Sequence, residues 1–246
     1  MLSPLLLVFV AAMITALATG LGALPFLLVH NVSRRNLGLA NGAAAGLMAA
    51  ASLMLLYEGG LESVGRTAVG ALIGMAGIAL SRHLLGEQSD IAVGKLRGAD
   101  ALQALMVVGI MTVHSFSEGV GVGVSYGGGD ALGAFITTAI AVHNVPEGLA
   151  ISLVLVPRGV SVWAAGGWSI VSSLPQPLMA VPAFLFVQAF RPFLPVGLGF
   201  AAGAMLWMVA VELLPDALDE APARPVAAAA GLAALAMLIF QLVLKG

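Results

Sequence analysis

The chain has 246 residues, of which 60% are hydrophobic and 9% charged, with a mean hydropathy of +1.06 and a formal net charge of −2. A water-soluble domain carries about 25% charged residues, so a soluble fold is excluded and an all-α integral membrane protein is expected. The slightly acidic balance offers no electrostatic footprint for nucleic acid, and the absence of cysteine removes disulfides, thiolate ligands and cysteine nucleophiles.

In chain order, residues 3–28 form the first apolar stretch long enough to cross a bilayer, at about 20 residues per crossing. No Lys or Arg precedes Arg34, so the stretch lacks the basic start of a signal peptide and reads as a retained helix. Pro25 bends or ends it. A polar turn at 30–36 carries Arg34 and Arg35. The second span, 37–57, ends at Tyr57-Glu58-Gly59-Gly60, and the third, 64–81, is short and Gly-rich. Residues 82–100 mix both signs of charge and read as a solvated loop. Spans four and five, 101–125 and 131–156, flank a Gly-rich turn at 126–130 that makes them antiparallel neighbours. Span six, 160–189, contains Pro175, Pro177 and Pro182 and must break or kink near its middle. Span seven, 193–214, ends in Glu212-Leu213-Leu214-Pro215-Asp216, and the acidic patch Asp216, Asp219 and Glu220 follows. The last span is 226–244.

Eight spans make residues 1–246 one transmembrane domain with both termini on the same side. With the N-terminus outside, the inner loops hold Arg34, Arg35, Arg82, Lys95, Arg97, Arg158 and Arg224, against Arg66, Arg191 and Lys245 outside. The positive-inside rule then favours extracytoplasmic termini and puts the 82–100 loop in the cytoplasm.

Spans four and five carry two near-copies of one pattern: His114-Ser115-Phe116-Ser117-Glu118-Gly119 and His143-Asn144-Val145-Pro146-Glu147-Gly148. A four-residue step on a helix rises about 6 Å and turns about 40° past a full turn, so each His and Glu share a face. Two such helices in contact would aim two imidazoles and two carboxylates at one spot. Ionisable groups at membrane depth are costly and face a cavity or a partner. Imidazole and carboxylate suit zinc, ferrous iron, manganese and cadmium. A divalent cation also cancels the charge of two ionised glutamates, and their repulsion without metal predicts that binding displaces protons and weakens as pH falls.

Around these four ligands stand secondary candidates. Pro146 lacks an N–H, so the Val142 carbonyl is freed to line a cavity. Ser115 and Asn144 adjoin the histidines, and Gly119, Gly121, Gly123 and Gly148 remove bulk for close packing or for an ion path. Met48 reads as core or site-facing, Glu212 as an interfacial charge or a pathway residue, and Gln176 as a cavity-lining or structural amide. Two other activities fit parts of the pattern. One is an intramembrane metal-dependent hydrolase, weakened by the lack of a His-Glu-x-x-His motif. The other is a proton-coupled carrier of an organic solute, which has no need for histidine at matched spacing twice.

The paired motifs resemble those of the ZIP (Zrt/Irt-like) metal transporters, and the likeness covers nearly the whole chain. Gly46-Leu47-Met48 and Glu212-Leu213-Leu214-Pro215 also resemble family sequence, and His143-Asn144-Val145-Pro146-Glu147-Gly148 is the most specific match. The resemblance implies a transporter, not an enzyme, with no resident cofactor and with zinc, and also iron, manganese or cadmium, as substrate. It implies a homodimer in the lipid bilayer of the cell membrane, moving metal toward the cytoplasm by an elevator-like or rocking change. Carried onto this chain, it makes His114, Glu118 and Glu147 primary ligands midway through the membrane, with His143 beside them and Met48 facing the site. The family often has a second metal position that shares the two glutamates, and the resemblance maps its other ligands to Ser115, Asn144 and Gln176. Those three are uncharged here, so a second ion is expected to bind weakly.

Overall fold

The computed structural model describes residues 3–28, 33–86 and 99–245, and among them there is no strand. The helices are α1 (Pro4–Leu21), α2 (Arg34–Gly86), α3 (Ala99–Gly128), α4 (Asp130–Leu155), α5 (Val162–Ser173), α6 (Pro175–Ala189), α7 (Leu194–Met208), α8 (Leu214–Glu220) and α9 (Ala223–Lys245). Six helical stretches among the described residues are long and apolar enough to cross a membrane: Pro4–Leu27, Arg34–Leu80, Asp130–Arg158, Val162–Ala189, Arg191–Glu220 and Ala223–Val243. Large side chains such as Leu53, Leu72, Leu178 and Leu232 stand exposed on the outside, while Glu118, Asn144 and Gln176 are fully buried. Exposed apolar surface on this scale marks contact with lipid or another chain.

Several element boundaries differ from the sequence expectation. The break between the second and third spans falls at Ser63, where α2 turns extended (φ −168°, ψ 107°), and not at Gly59-Gly60. Glycine weakens a helix without forbidding it, whereas an extended serine is the conformation of a helix N-cap. The stretch 82–100 is helical at both edges, since α2 runs to Gly86 and α3 starts at Ala99. The rest of that charged loop lies outside the described residues, as does most of the 30–36 turn. The 126–130 turn shrinks to Gly129, whose φ of 135° is closed to L side chains. The acidic patch is the helix α8, entered through a π turn at Val209–Leu213. Pro215 explains the wide turn, because it withholds the N–H that the Val211 carbonyl would otherwise receive. Span six breaks as expected: Leu174 separates α5 from α6, with Pro175 and Pro177 opening the second half.

The helices form two packed groups. The first contains α1, α3, α4, α5 and α6; the second contains α2, α7, α8 and α9. Within each group, glycines bring backbones together. A Cβ on Gly148 of α4 would lie 1.7 Å from the Thr19 carbonyl of α1, and one on Gly119 of α3 would lie 2.5 Å from the Gln176 carbonyl of α6. In the second group, Gly46 meets the Ala230 backbone and Gly70 the Val196 backbone. Where α3 meets α7 across the groups, Gly121 and Gly197 face only the side chains of Ala201 and Val124. At that seam the approach is to side chains and not to backbone.

Candidate metal centre

The two motif glycines position the site. Gly119 follows Glu118 and admits the α6 backbone, which brings Gln176 against Glu118. Gly148 follows Glu147 and admits α1, which brings Thr15 and Thr19 against α4. Gly129 folds α3 back onto α4, so both motifs face one interior.

Glu118, His143 and Glu147 each offer a ligand atom, and these atoms lie within 4.8 Å of one another. His143 Nε2 stands 3.7 Å from Glu118 Oε1. The three side chains are buried, at 0, 1 and 5% exposure respectively. Glu118 Oε1, His143 Nδ1 and both carboxylate oxygens of Glu147 have no hydrogen-bond partner among the described residues. A buried polar atom without a partner is costly, and orphaned carboxylate oxygens gathered beside an imidazole fit a cation. Donors bound at about 2.0–2.2 Å around a tetrahedral zinc stand about 3.3–3.6 Å apart, so a small inward shift of these side chains would seat the ion.

The expected fourth ligand stands apart from the three. His114 is buried, but its Nε2 lies 3.4 Å from Glu212 Oε2 on the π turn. Both residues line a small cavity of about 40 Å³, together with Asn41, Met111, His143, Glu147 and Asp216. The cavity lies across the seam, because Asn41 and Asp216 belong to the second group. Met48 is buried in the main apolar core and is not among the residues lining this cavity. Ser115 faces Ser173, with the two hydroxyl oxygens 3.5 Å apart. Asn144 and Gln176 hydrogen-bond to each other, and Gln176 also donates to Glu118.

Four residues near the site had no role in the sequence reading. Thr15 contacts both Asn144 and Gln176, and Ser173 contacts Ser115 and Thr19. Asn41 and Asp216 line the cavity. The four-residue spacing of Thr15 and Thr19 in an otherwise apolar span was the one signal available, since it places two hydroxyls on one helix face.

A sequence profile described as ZIP zinc transporter matches residues 81–240. A protein of Arabidopsis thaliana described as a candidate zinc transporter is 51% identical over 225 residues, covering 90% of this chain and 36% of its own length. The zinc transporter GufA of Myxococcus xanthus is 32% identical over 220 residues, covering 84% of this chain and 87% of its own. The zinc transporter ZIPB of Bordetella bronchiseptica is 32% identical over 219 residues, covering 81% and 69%. The chain thus spans about a third of the plant relative and most of the two bacterial ones.

Proposed function

Because the chain belongs to the ZIP zinc transporter family, we propose that it carries divalent transition-metal ions across a membrane, zinc first, and iron, manganese and cadmium as further substrates. The observation that carries this reading is the convergence of Glu118, His143 and Glu147 with unpartnered acceptor oxygens, buried among apolar helices. Glu118, His143 and Glu147 hold the ion, and His114 joins it when released from Glu212. No catalytic step is assigned to any residue.

In this reading the protein crosses the cell membrane eight times, α2 contributing two crossings about Ser63 and α3 one. Both termini are extracytoplasmic, and two copies pair. The hydrogen bonds at the helix ends support that arrangement. Arg66 donates to the Pro192 carbonyl and Arg191 to the Gly127 carbonyl at one end, while Arg34 pairs with Glu220 at the other. These are the ends that the basic residues assign to the outside and the inside. Glu147 and Asp216 line one cavity, and Asp216 lies four residues before Glu220 at the end assigned to the inside, which supports release into the cytoplasm. The division into two helix groups, with the α3–α7 glycines meeting side chains and not backbone, supports movement of one group against the other as rigid bodies.

Flux into sealed proteoliposomes tests the proposal, with zinc, iron, manganese, cadmium and an organic-solute panel offered in turn. Accumulation of zinc above protein-free vesicles is expected. Accumulation of an organic solute with no metal movement would sink the reading.

A further inference from the structure

The backbone carbonyl of Thr15 on α1 accepts a hydrogen bond from Asn144 Nδ2 at 2.8 Å. A carbonyl can only accept, so Asn144 must turn its NH₂ toward α1. The same nitrogen, with its second hydrogen, donates to Gln176 Oε1 at 3.2 Å, and the Thr15 hydroxyl reaches that oxygen too. Gln176 is thereby oriented with its NH₂ at the far end, where Nε2 donates to Glu118 Oε2 at 2.7 Å. The bonds from Asn144 to the Thr15 carbonyl and to Gln176 have a single allowed polarity, as does the Gln176 bond to an ionised Glu118, whereas the Thr15 hydroxyl also bonds the Ala12 carbonyl and does not fix the direction. Thr15, Asn144, Gln176 and Glu118 are all fully buried, so inverting either amide would set like against like where no compensation is at hand.

The relay begins at a backbone group that cannot flip and ends on one oxygen of a carboxylate. Glu118 Oε2 is taken by the amide hydrogens. Glu118 Oε1 is left without a hydrogen-bond partner, facing His143. An amide NH₂ also stands where a second cation on Oε2 would have to sit, and an amide nitrogen with its hydrogens turned to a carboxylate is no metal ligand.

We propose that Thr15, Asn144 and Gln176 form a fixed-polarity relay that occupies Glu118 Oε2 in place of a second cation, so that the centre takes one ion per chain. Gln176 is then a positioning residue and not a ligand, and Asn144 positions it through Nδ2, while its Oδ1 has no hydrogen-bond partner among the described residues. The inference rests on the assignment of Glu118, His143 and Glu147 as the ion's ligands and deepens it.

The test counts ions. Full-length protein in detergent is dialysed against micromolar zinc, the bound metal per chain is measured by mass spectrometry, and affinity is measured against a chromophoric chelator. Wild type is expected to hold one zinc. Gln176→Glu replaces the donors by acceptors without adding bulk and is expected to hold two. Asn144→Asp sets oxygen against the Thr15 carbonyl and is expected to weaken the single ion by about 10- to 100-fold, the range for losing a group that orients a ligand. Two tightly bound ions in wild type, or one ion at wild-type affinity in Gln176→Glu, would overturn the relay alone. No zinc in wild type would overturn the ligand assignment beneath it. If Gln176→Glu does not insert, as judged by size exclusion, Asn144→Leu carries the test, and an unchanged affinity there overturns the relay.

Discussion

His114 Nε2 lies 3.4 Å from Glu212 Oε2, which ties α3 in one helix group to the π turn of the other. The imidazole expected beside the metal is thus engaged across the seam, while lining the same cavity as Glu147. A nitrogen shared in this way links ion binding to the relation between the groups.

Removing the competitor should expose that link. Glu212→Ala leaves His114 to the ion as a further ligand, so zinc affinity is expected to rise about tenfold, the lower range for changes that act through a ligand's orientation. Uptake is expected to slow by a similar factor, since the next carboxylate along the cavity is gone. Chelator competition and vesicle uptake, measured on the same preparation, check both. Weaker binding with unchanged uptake would show that His114 has no part in holding the ion.

Acid should weaken binding. Imidazole and carboxylate ligate metal only without their protons, so metal and protons compete for the same atoms. The sign is fixed: affinity is highest toward neutral pH and is lost as pH falls. For every proton displaced, the loss is about tenfold per pH unit. Zinc titrations from pH 7.5 to 5.5 measure it, and a flat profile would mean that the ion does not use these groups.

The glycine after Glu147 is expected to be structural. A Cβ at Gly148 would lie 1.7 Å from a backbone carbonyl that has no side-chain freedom to move aside. Gly148→Ala should therefore cost about 1–3 kcal/mol, the range for forcing bulk into a packed interior. Gly231 lies on the exposed face of α9 with nothing within 4 Å, and Gly231→Ala should gain about 0.5–1 kcal/mol from helix propensity. Thermal unfolding in detergent compares the two, and equal shifts would refute the close approach of α1 and α4.

The helices were legible because apolar length is a strong signal, and the break in span six followed from Pro175 and Pro177. The ends of α2 and α3 were not, because charged residues continue a helix as readily as they form a loop. The His114/Glu118 and His143/Glu147 spacings pointed to a shared interior. They could not tell that His114 is diverted, since Glu212 is distant in sequence and reaches the site only through the π turn at Pro215. Thr15 was missed for a similar reason. A threonine in an apolar span satisfies itself on its own helix, as Thr15 also does on the Ala12 carbonyl. Its partners become visible only once Gly148 has brought α1 against α4.

Zinc uptake into sealed proteoliposomes by the wild-type chain and by Glu147→Gln, at matched protein insertion, bears most directly on the central assignment. The substitution keeps the shape of the side chain and removes one of the negative charges that hold the cation. Wild type should accumulate zinc while Glu147→Gln stays at the level of empty vesicles. Equal uptake by the two proteins would contradict a carboxylate-held ion at the meeting of α3 and α4.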